Sequence, residues 1–288
     1  MEVRKIAKEW EIWEEEEEAA KLEEEAKKLV PEKLHRWIKV FGKKQLERMP
    51  TRKVWDHAID IKEGFILKKE KVYPLSREER EEVREFVKEQ LRKGYIQPTK
   101  LPQMAPVFFV GKKDGKKKMV QDYWYLNKWM IKNNYPLSLI LDVLENIGMK
   151  KLFTKMDLRW GDNNVRIKEG DEWKAVFTML EGLFEPTVMF FGLTNSPATF
   201  QAMMNELLRD LINMGRVAVF IDDVIVGIEE EEGHDELVVE VIKRLEENDL
   251  YVKPGKCKWK VKEVEFLGVV IGLEGIKMEE GKVKGIVE

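Results

Sequence analysis

RVAVFIDDVIVGI, residues 216–228, decides how this chain is read. Nearly every side chain in it is apolar and strand-forming, yet Asp222 and Asp223 stand side by side in its middle. An ionised carboxylate without a partner in apolar surroundings is costly, or it takes up a proton. Val217–Phe220 and Val224–Ile228 therefore read as the strands of a tight hairpin, with both acids at the bend. Aspartate is at home in turns, so a solvated surface hairpin satisfies the pattern. A cation site satisfies it as well, provided that another carboxylate arrives from elsewhere in the chain.

The 288 residues, 43% of them hydrophobic, suffice for one large or two modest domains with a real core. The net charge is only −3, but it is unevenly spread. Residues 1–30 hold 11 acids against 6 bases, and residues 88–132 hold 11 Lys or Arg against 3 acids. Such a basic segment suits a polyanion or phosphate surface; a solvated lysine face gives the same pattern. The single cysteine, Cys257, excludes an internal disulfide and a cysteine-based zinc site. No apolar run approaches the ~20 residues of a membrane span. The N-terminus is charged and lacks a signal-peptide core. A soluble intracellular, cytoplasmic protein without a membrane partner is the expectation.

Residues 1–30 read as a charged helical lead ended by Pro31. His35, His57 and His234 have no spaced partners and are read as structural. Residues 74–94 form a helix with Ser76 and Glu79 as a capping box, an apolar stripe of Val83, Phe86, Val87 and Leu91, and Gly94 as the stop. Val107–Val110 and Met119–Gln121 form a hairpin whose tip is crowded by Lys112, Lys113, Lys116, Lys117 and Lys118. KLFTKMDLRWGDNNVRI, residues 151–167, is a strand running into a polar turn and out again, with Asp157 just past the apolar strand end. Asn195, Ser196 and Pro197 open a helix buried through Phe200, Met203, Met204, Leu207, Leu208 and Leu211, in which methionine is core filler. A further amphipathic helix begins near His234. It is followed by an alternating strand with Lys256, Lys258, Lys260 and Lys262 on one face and Cys257, Trp259 and Val261 on the other. The order β–α–β–β–α–β across 152–272 is a ferredoxin-like plan. In that plan the strand of Asp157 lies beside the Asp222–Asp223 hairpin, which supplies the third acid. Three carboxylates at a sheet edge suit Mg²⁺, and two such ions about 3.5–4 Å apart can clamp a phosphoryl displacement.

Phe220-Ile221-Asp222-Asp223 resembles the Tyr-x-Asp-Asp box of reverse transcriptases. The blocks YPLSREEREEVREFVKEQLRKGYIQP, PVFFVGKKDGKKKMVQDYWYLNK, IKNNYPL, KLFTKMDLRWGDNNVRI, MFFGLTNSPATFQAMMN and VEFLG resemble, in order, the polymerase of gypsy-type LTR retrotransposons over roughly residues 50–288. The resemblance implies an α+β right-hand polymerase, with a ferredoxin-like palm of antiparallel sheet and helices, and a fingers subdomain. It divides the chain into a charged extension (1–50), fingers and the start of the palm (51–151), palm with catalytic site and primer grip (152–272), and the start of a largely absent thumb (273–288). It implies RNA-directed DNA synthesis by two-metal transfer from a dNTP to a primer 3′-OH, with Mg²⁺ or Mn²⁺, on an RNA or DNA template. In an intact element the protein would be particle-associated.

By the same resemblance Asp157, Asp222 and Asp223 are catalytic carboxylates, Leu158 joins them as a metal ligand, and Lys256 protonates the leaving pyrophosphate. Lys112, Lys118, Trp160, Gly161, Asp162 and Phe191 line the dNTP, and Phe266, Leu267 and Gly268 form the primer grip. Two positions depart from the family. Asp162 stands where an aromatic ring excludes a 2′-OH, which implies weaker nucleotide binding and relaxed sugar selection. Trp124 stands where Arg is usual, which would strand an unpaired acid if that position were buried. A catalytically impaired relic or domesticated copy that only binds nucleic acid is the alternative. A nucleotide cyclase with the same palm fits poorly, because of the fingers hairpin and the primer-grip block.

Overall fold

The computed structural model describes residues 17, 20–42, 48–66, 68–101, 105–111, 117–136, 140–148, 150–159 and 161–278. Its strands are β1 (Ile96–Pro98), β2 (Val107–Gly111), β3 (Lys117–Gln121), β4 (Leu152–Asp157), β5 (Phe177–Met179), β6 (Gly182–Pro186), β7 (Val217–Phe220), β8 (Asp223–Ile228), β9 (Lys258–Val261), β10 (Glu263–Phe266), β11 (Val269–Gly272) and β12 (Gly275–Met278). The α-helices are α1 (20–29), α2 (Arg77–Lys93), α3 (Trp124–Trp129), α4 (Ile140–Ile147), α5 (Ser196–Leu207), α6 (Arg209–Asn213) and α7 (His234–Glu247). The chain divides into two compact units. One comprises Met1–Glu47, Leu137–Arg159 and Met204–Glu288; the other comprises Arg48–Pro136 and Trp160–Met203. Among the described residues, no helix is long and apolar enough to cross a membrane.

The first of these units is built on a four-stranded antiparallel sheet in the order β7-β8-β4-β9. In chain order that is second, third, first and fourth, the ferredoxin-like arrangement the element order implies. Val217, Ala218, Val219, Val224, Ile225 and Val226 are all buried, so β7 and β8 are covered on both faces, as their unbroken apolar runs require. One face packs Phe153, Ala218 and Ile225 against Val143, Leu144 and Ile147 of α4 and against Val264, Phe266 and Ile271 of the β10–β11–β12 sheet. Gly227 permits the close approach of α4: a Cβ there would lie 2.8 Å from Ile147 Cδ1 and 3.0 Å from Lys150 Cγ. α7 also packs on β8. The β4–β9 register shifts between Phe153 and Lys155. At that irregularity the buried Thr154 hydroxyl accepts the Lys260 N–H at 3.1 Å and lies 2.8 Å from His234 Nε2. This is a structural role for His234, as its isolation in sequence implies. The chain after α1 is not a bare linker. Glu32–Phe41 is a 3-10 segment that buries Leu34, Ile38, Val40 and Phe41, and the Val40 carbonyl accepts the Val252 N–H at 2.9 Å.

The second unit has a β1-β6-β5 sheet and the β2–β3 hairpin, around a core that includes Ile59, Val83, Tyr123, Met130, Ile167, Phe177 and Val188. The capping box of α2 is present: Ser76 Oγ accepts from the Glu79 N–H at 3.2 Å, and Glu79 Oε2 from the Ser76 N–H at 2.9 Å. Gly94 ends the helix at φ 74°, a left-handed conformation that favours glycine. Leu91 was expected in the apolar stripe, but it faces solvent while Val83 and Val87 are buried. β3 starts at Lys117, two residues earlier than expected, and Lys117 pairs with Glu79 at 2.7 Å instead of standing free at the hairpin tip. Lys112, Lys113 and Lys116 lie outside the described residues.

His57 is fully buried, with Nδ1 2.9 Å from Thr199 Oγ1 and, among the described residues, no partner for Nε2. Burial lowers its pKa from 6.5 to about 4, against a smaller opposing pull from Asp171. Neutral His57 is thus favoured by the fold. Its contribution is complete above the unfolded pKa near 6.5, shrinks as pH falls, and is gone below the folded value near 4. That window is worth at most about 3 kcal/mol. We expect His57→Gln to flatten the acid side of the stability–pH profile, measured by urea unfolding between pH 7 and pH 4. An unchanged slope would show that His57 does not carry the acid sensitivity.

Candidate functional site

Antiparallel pairing of β4 with β8 sets Asp157 opposite Asp223, the last register pair of the ladder. β7 and β8 are joined through Ile221 and Asp222, with Phe220 opposite Asp223. The two acids do not share the bend, as the sequence suggests. Asp222 lies in the turn, and Asp223 is the first residue of β8. Ile221 has φ 53°, which a β-branched residue adopts only at a cost of about 1–3 kcal/mol. The turn is tied down by the Asp222 carbonyl, which accepts the Leu158 N–H at 2.8 Å.

Three lysines meet these acids. Asp157 Oδ1 accepts from Lys253 Nζ at 2.6 Å and Oδ2 from Lys256 Nζ at 3.2 Å, while Lys155 Nζ lies 3.1 Å from Asp223 Oδ1. Asp222 differs: among the described residues no hydrogen bond or salt bridge reaches its carboxylate. Burial pushes its pKa above the usual carboxylate value, Lys253 and Lys256 oppose the shift, and Asp157 and Asp223 add to it. The three carboxylates therefore gather at one end of the sheet, where Asp157 and Asp223 act on Asp222. Among the described residues, however, no group of three His, Cys, Asp or Glu side chains is arranged as a ready cation site. The physical reason is that the oxygens of Asp157 and one of Asp223 are turned to ammonium groups. The donor set fits a hard divalent cation, because it is all carboxylate oxygen and leaves a half-buried Asp222 charge uncompensated by any direct contact. Cys257 beside it is inert: burial raises its thiol pKa to about 12, and Sγ donates to the Lys253 carbonyl at 3.2 Å.

Asp157, Asp222, Asp223 and Lys256 are thus brought together, with Leu158 adjoining them. Lys253 belongs to the same group and escaped the sequence reading, since nothing local to KPGK distinguishes it from its neighbours. In the β10–β11 hairpin Leu267 and Gly268 form the turn at φ 52° and 79°, half-buried. Phe266 is fully buried in the core below them, so it anchors the hairpin and does not face outward.

The other unit holds the remaining candidates. Lys118 Nζ sits 3.4 Å from the centre of the Phe191 ring, a cation–π contact, with Phe191 43% exposed. Gly161–Asn164 is a 3-10 turn in which Asn163 Nδ2 donates to the Met189 carbonyl at 3.0 Å. Lys112, Trp160 and the side chain of Asp162 lie outside what the structure describes. Trp124 is 70% exposed, and Asp122 beside it accepts from the Tyr73 hydroxyl at 2.9 Å and the Trp124 N–H at 3.1 Å. The stranded buried acid that a tryptophan at this position would imply is therefore not formed there.

The Transposon Tf2-3 polyprotein of Schizosaccharomyces pombe is 34% identical over 203 residues, covering 70% of this chain and 15% of that polyprotein. The Transposon Tf2-7 polyprotein of the same organism is 33% identical over the same length. The chain spans about 15% of the length of these curated relatives. Among solved structures, a foamy viral protease-reverse transcriptase in complex with RNA/DNA hybrid superposes with a TM-score of 0.78 at 23% identity, over 92% of this chain and 35% of that one. The native protease-reverse transcriptase of prototype foamy virus gives 0.69 at 25% identity, over 85% and 32%. The α+β polymerase-like fold is common to this chain and those two solved structures. The family model "Reverse transcriptase (RNA-dependent DNA polymerase)" matches residues 110–271, a span that includes all three carboxylates and both lysines on Asp157, and the chain belongs to that family.

Proposed function

We propose that this chain is the polymerase module of a gypsy-type LTR retrotransposon, an RNA-directed DNA polymerase that transfers a nucleotide from a dNTP to a primer 3′-OH. The observation that carries the proposal is the Asp157–Asp223 register pair with Asp222 beside it. In this reading residues 51–151 are the fingers and the start of the palm, and residues 152–272 are the palm that carries the carboxylates. The family is generally metal-dependent; Asp157, Asp222, Asp223 and the Leu158 carbonyl would hold Mg²⁺ or Mn²⁺. Such ions would supply charge neutralisation and an acidified primer hydroxyl.

The chain's own residues have the remaining work. Lys256 is 64% exposed and loosely held on Asp157, so its ammonium can turn to a leaving pyrophosphate and give it a proton. Lys118 can exchange its cation–π contact with Phe191 for a triphosphate oxygen, leaving the ring to pack against the nucleotide. Lys112, Trp160 and Gly161 complete the triphosphate and sugar contacts. Leu267 and Gly268 present the hairpin tip to the primer, with Phe266 fixing it from below. The partners are a primed RNA or DNA template and dNTPs. Complexes of the foamy viral relatives with RNA/DNA hybrid and with double-stranded DNA support a nucleic-acid partner.

Primer extension on poly(rA)/oligo(dT) with Mg²⁺ or Mn²⁺ tests the proposal. Asp222→Asn should reduce extension by about a thousandfold or more, since it removes a carboxylate that acts at the reacting centre. The same change removes a charge that burial disfavours, so thermal melting at pH 7.5 should rise by about 1–3 °C. A variant as active as the parent would sink the assignment; a lower melting point would sink the account of Asp222 as a destabilising charge.

Position 162 gives a second test. Asp162→Tyr would replace a charge near the incoming triphosphate by a ring under the sugar. The apparent KM for dTTP should fall and discrimination against UTP should rise, each by about tenfold. Steady-state incorporation of the two nucleotides measures both. If neither moves, Asp162 does not face the nucleotide.

A further inference from the structure

We propose that Lys253 is a built-in counter-ion of the carboxylate cluster, a positioning residue that holds Asp157 in place before a divalent cation arrives and competes with that cation for it. The inference rests on the metal-assisted reading above. It concerns a residue that reading does not use.

Two lysines touch Asp157, and they are held very differently. Lys256 ends the short Pro254–Lys256 turn with its side chain 64% exposed, whereas the Lys253 side chain is 30% exposed. The Lys253 main chain is locked as well. Its N–H donates to the Asp157 carbonyl at 2.8 Å, Val252 bridges to Leu158, and the Val252 N–H donates to the Val40 carbonyl at 2.9 Å. Main chain and side chain therefore grip the same aspartate, with Nζ 2.6 Å from Oδ1. A charge-assisted bond of that length fixes the carboxylate's orientation. It also occupies an oxygen that a hard cation would need. The ammonium is the foremost opponent of the burial effect at Asp222, so it lies near the acid that makes no direct bond.

Two like charges cannot share one carboxylate oxygen without cost, so a divalent ion displaces Nζ from Oδ1 and works against the residual repulsion. Lys253 thus sets the cation concentration at which the cluster fills. In the absence of cation it relieves the repulsion between Asp157, Asp222 and Asp223.

The test uses the full chain without nucleic acid or nucleotide: Mn²⁺ binding by electron paramagnetic resonance, and thermal melting in EDTA and in a Mg²⁺ titration. Lys253→Met keeps the stem and removes the charge. Its half-saturating Mn²⁺ concentration should fall by about three- to tenfold, the effect of losing a competing charge at a partly buried site. Its melting point in EDTA should fall below the parent's, and its gain on adding Mg²⁺ should exceed the parent's. Lys253→Arg should keep the parent's Mn²⁺ value. A Lys253→Met value within about twofold of the parent, or weaker, overturns the proposal. If that variant does not fold, Lys253→Gln, which keeps an N–H donor, is read in the same way. A parent that extends primers with Mg²⁺ while Lys253→Met leaves Mn²⁺ binding unchanged refutes the counter-ion alone. A parent that neither binds Mn²⁺ in an Asp222-dependent manner nor extends primers refutes the polymerase reading and the counter-ion with it.

Discussion

The pairing of Asp157 with Asp223 across two antiparallel strands is the constraint on which the rest of this structure turns. Like charges directly opposite each other in a ladder are destabilising. Here the hairpin adds a third acid beside them. The fold does not avoid the conflict; it surrounds it. Lys155 comes from β4 itself, two residues before Asp157, while Lys253 and Lys256 arrive from the segment leading into β9. β8 is buried on both faces and pairs with β4 along the whole of that strand, so a one-residue slip would misplace every packed side chain of the ladder. The carboxylates are held together by hydrophobic burial, against their own repulsion.

The turn at Ile221 shows the same trade at backbone level. A β-branched residue at φ 53° is unfavourable, and Asn or Gly would be the ordinary choice. The conformation persists because both ends are over-determined: Phe220 is in register with Asp223, and the Asp222 carbonyl is bound to Leu158. Its effect is to turn Asp222 out of the strand direction while Asp223 stays in the ladder. Two adjacent aspartates thereby acquire different surroundings, one paired with Lys155 and one without a direct partner among the described residues. A catalytic role for the cluster would exploit that difference, since the uncompensated carboxylate is the one that gains most from a cation.

Much of this was legible in the sequence, for physical reasons that separate what was found from what was missed. The capping box of Ser76 and Glu79 is a local pattern and is formed as read. The order of strands and helices after residue 152 implied β4 beside β8, since few topologies accept that order. The VEFLG hairpin was legible as a turn, but its Phe266 is core, which period-2 alternation implies once the outward residue is Glu265. Lys253 was not legible. Its partner is 96 residues away, and neither hydrophobic periodicity nor turn chemistry reports a contact between a loop and a strand end so distant in sequence. Leu91 was missed for the opposite reason: helical spacing names a face, whereas burial at a helix's last turn depends on what lies beyond it.

The segment before residue 42 gains a meaning from the same geometry. Only residues 1–30 read as solvated charge; beyond them the carbonyl of Val40 is bonded to the N–H of Val252, and Val252 bridges to Leu158, next to the first carboxylate. Phe41 lies edge-on to Trp259 at 5.8 Å, and the Leu29 carbonyl accepts from the indole N–H of Trp259 at 2.9 Å. These contacts brace both ends of the stretch 252–259, from which Lys253 and Lys256 reach Asp157. A carboxylate cluster of this kind depends on where its counter-charges are placed, and a loop anchored only at β9 would leave them free to drift. The apolar residues Leu34, Ile38, Val40 and Phe41 thus serve the site without touching it: by their burial they fix the main chain that carries the two lysines.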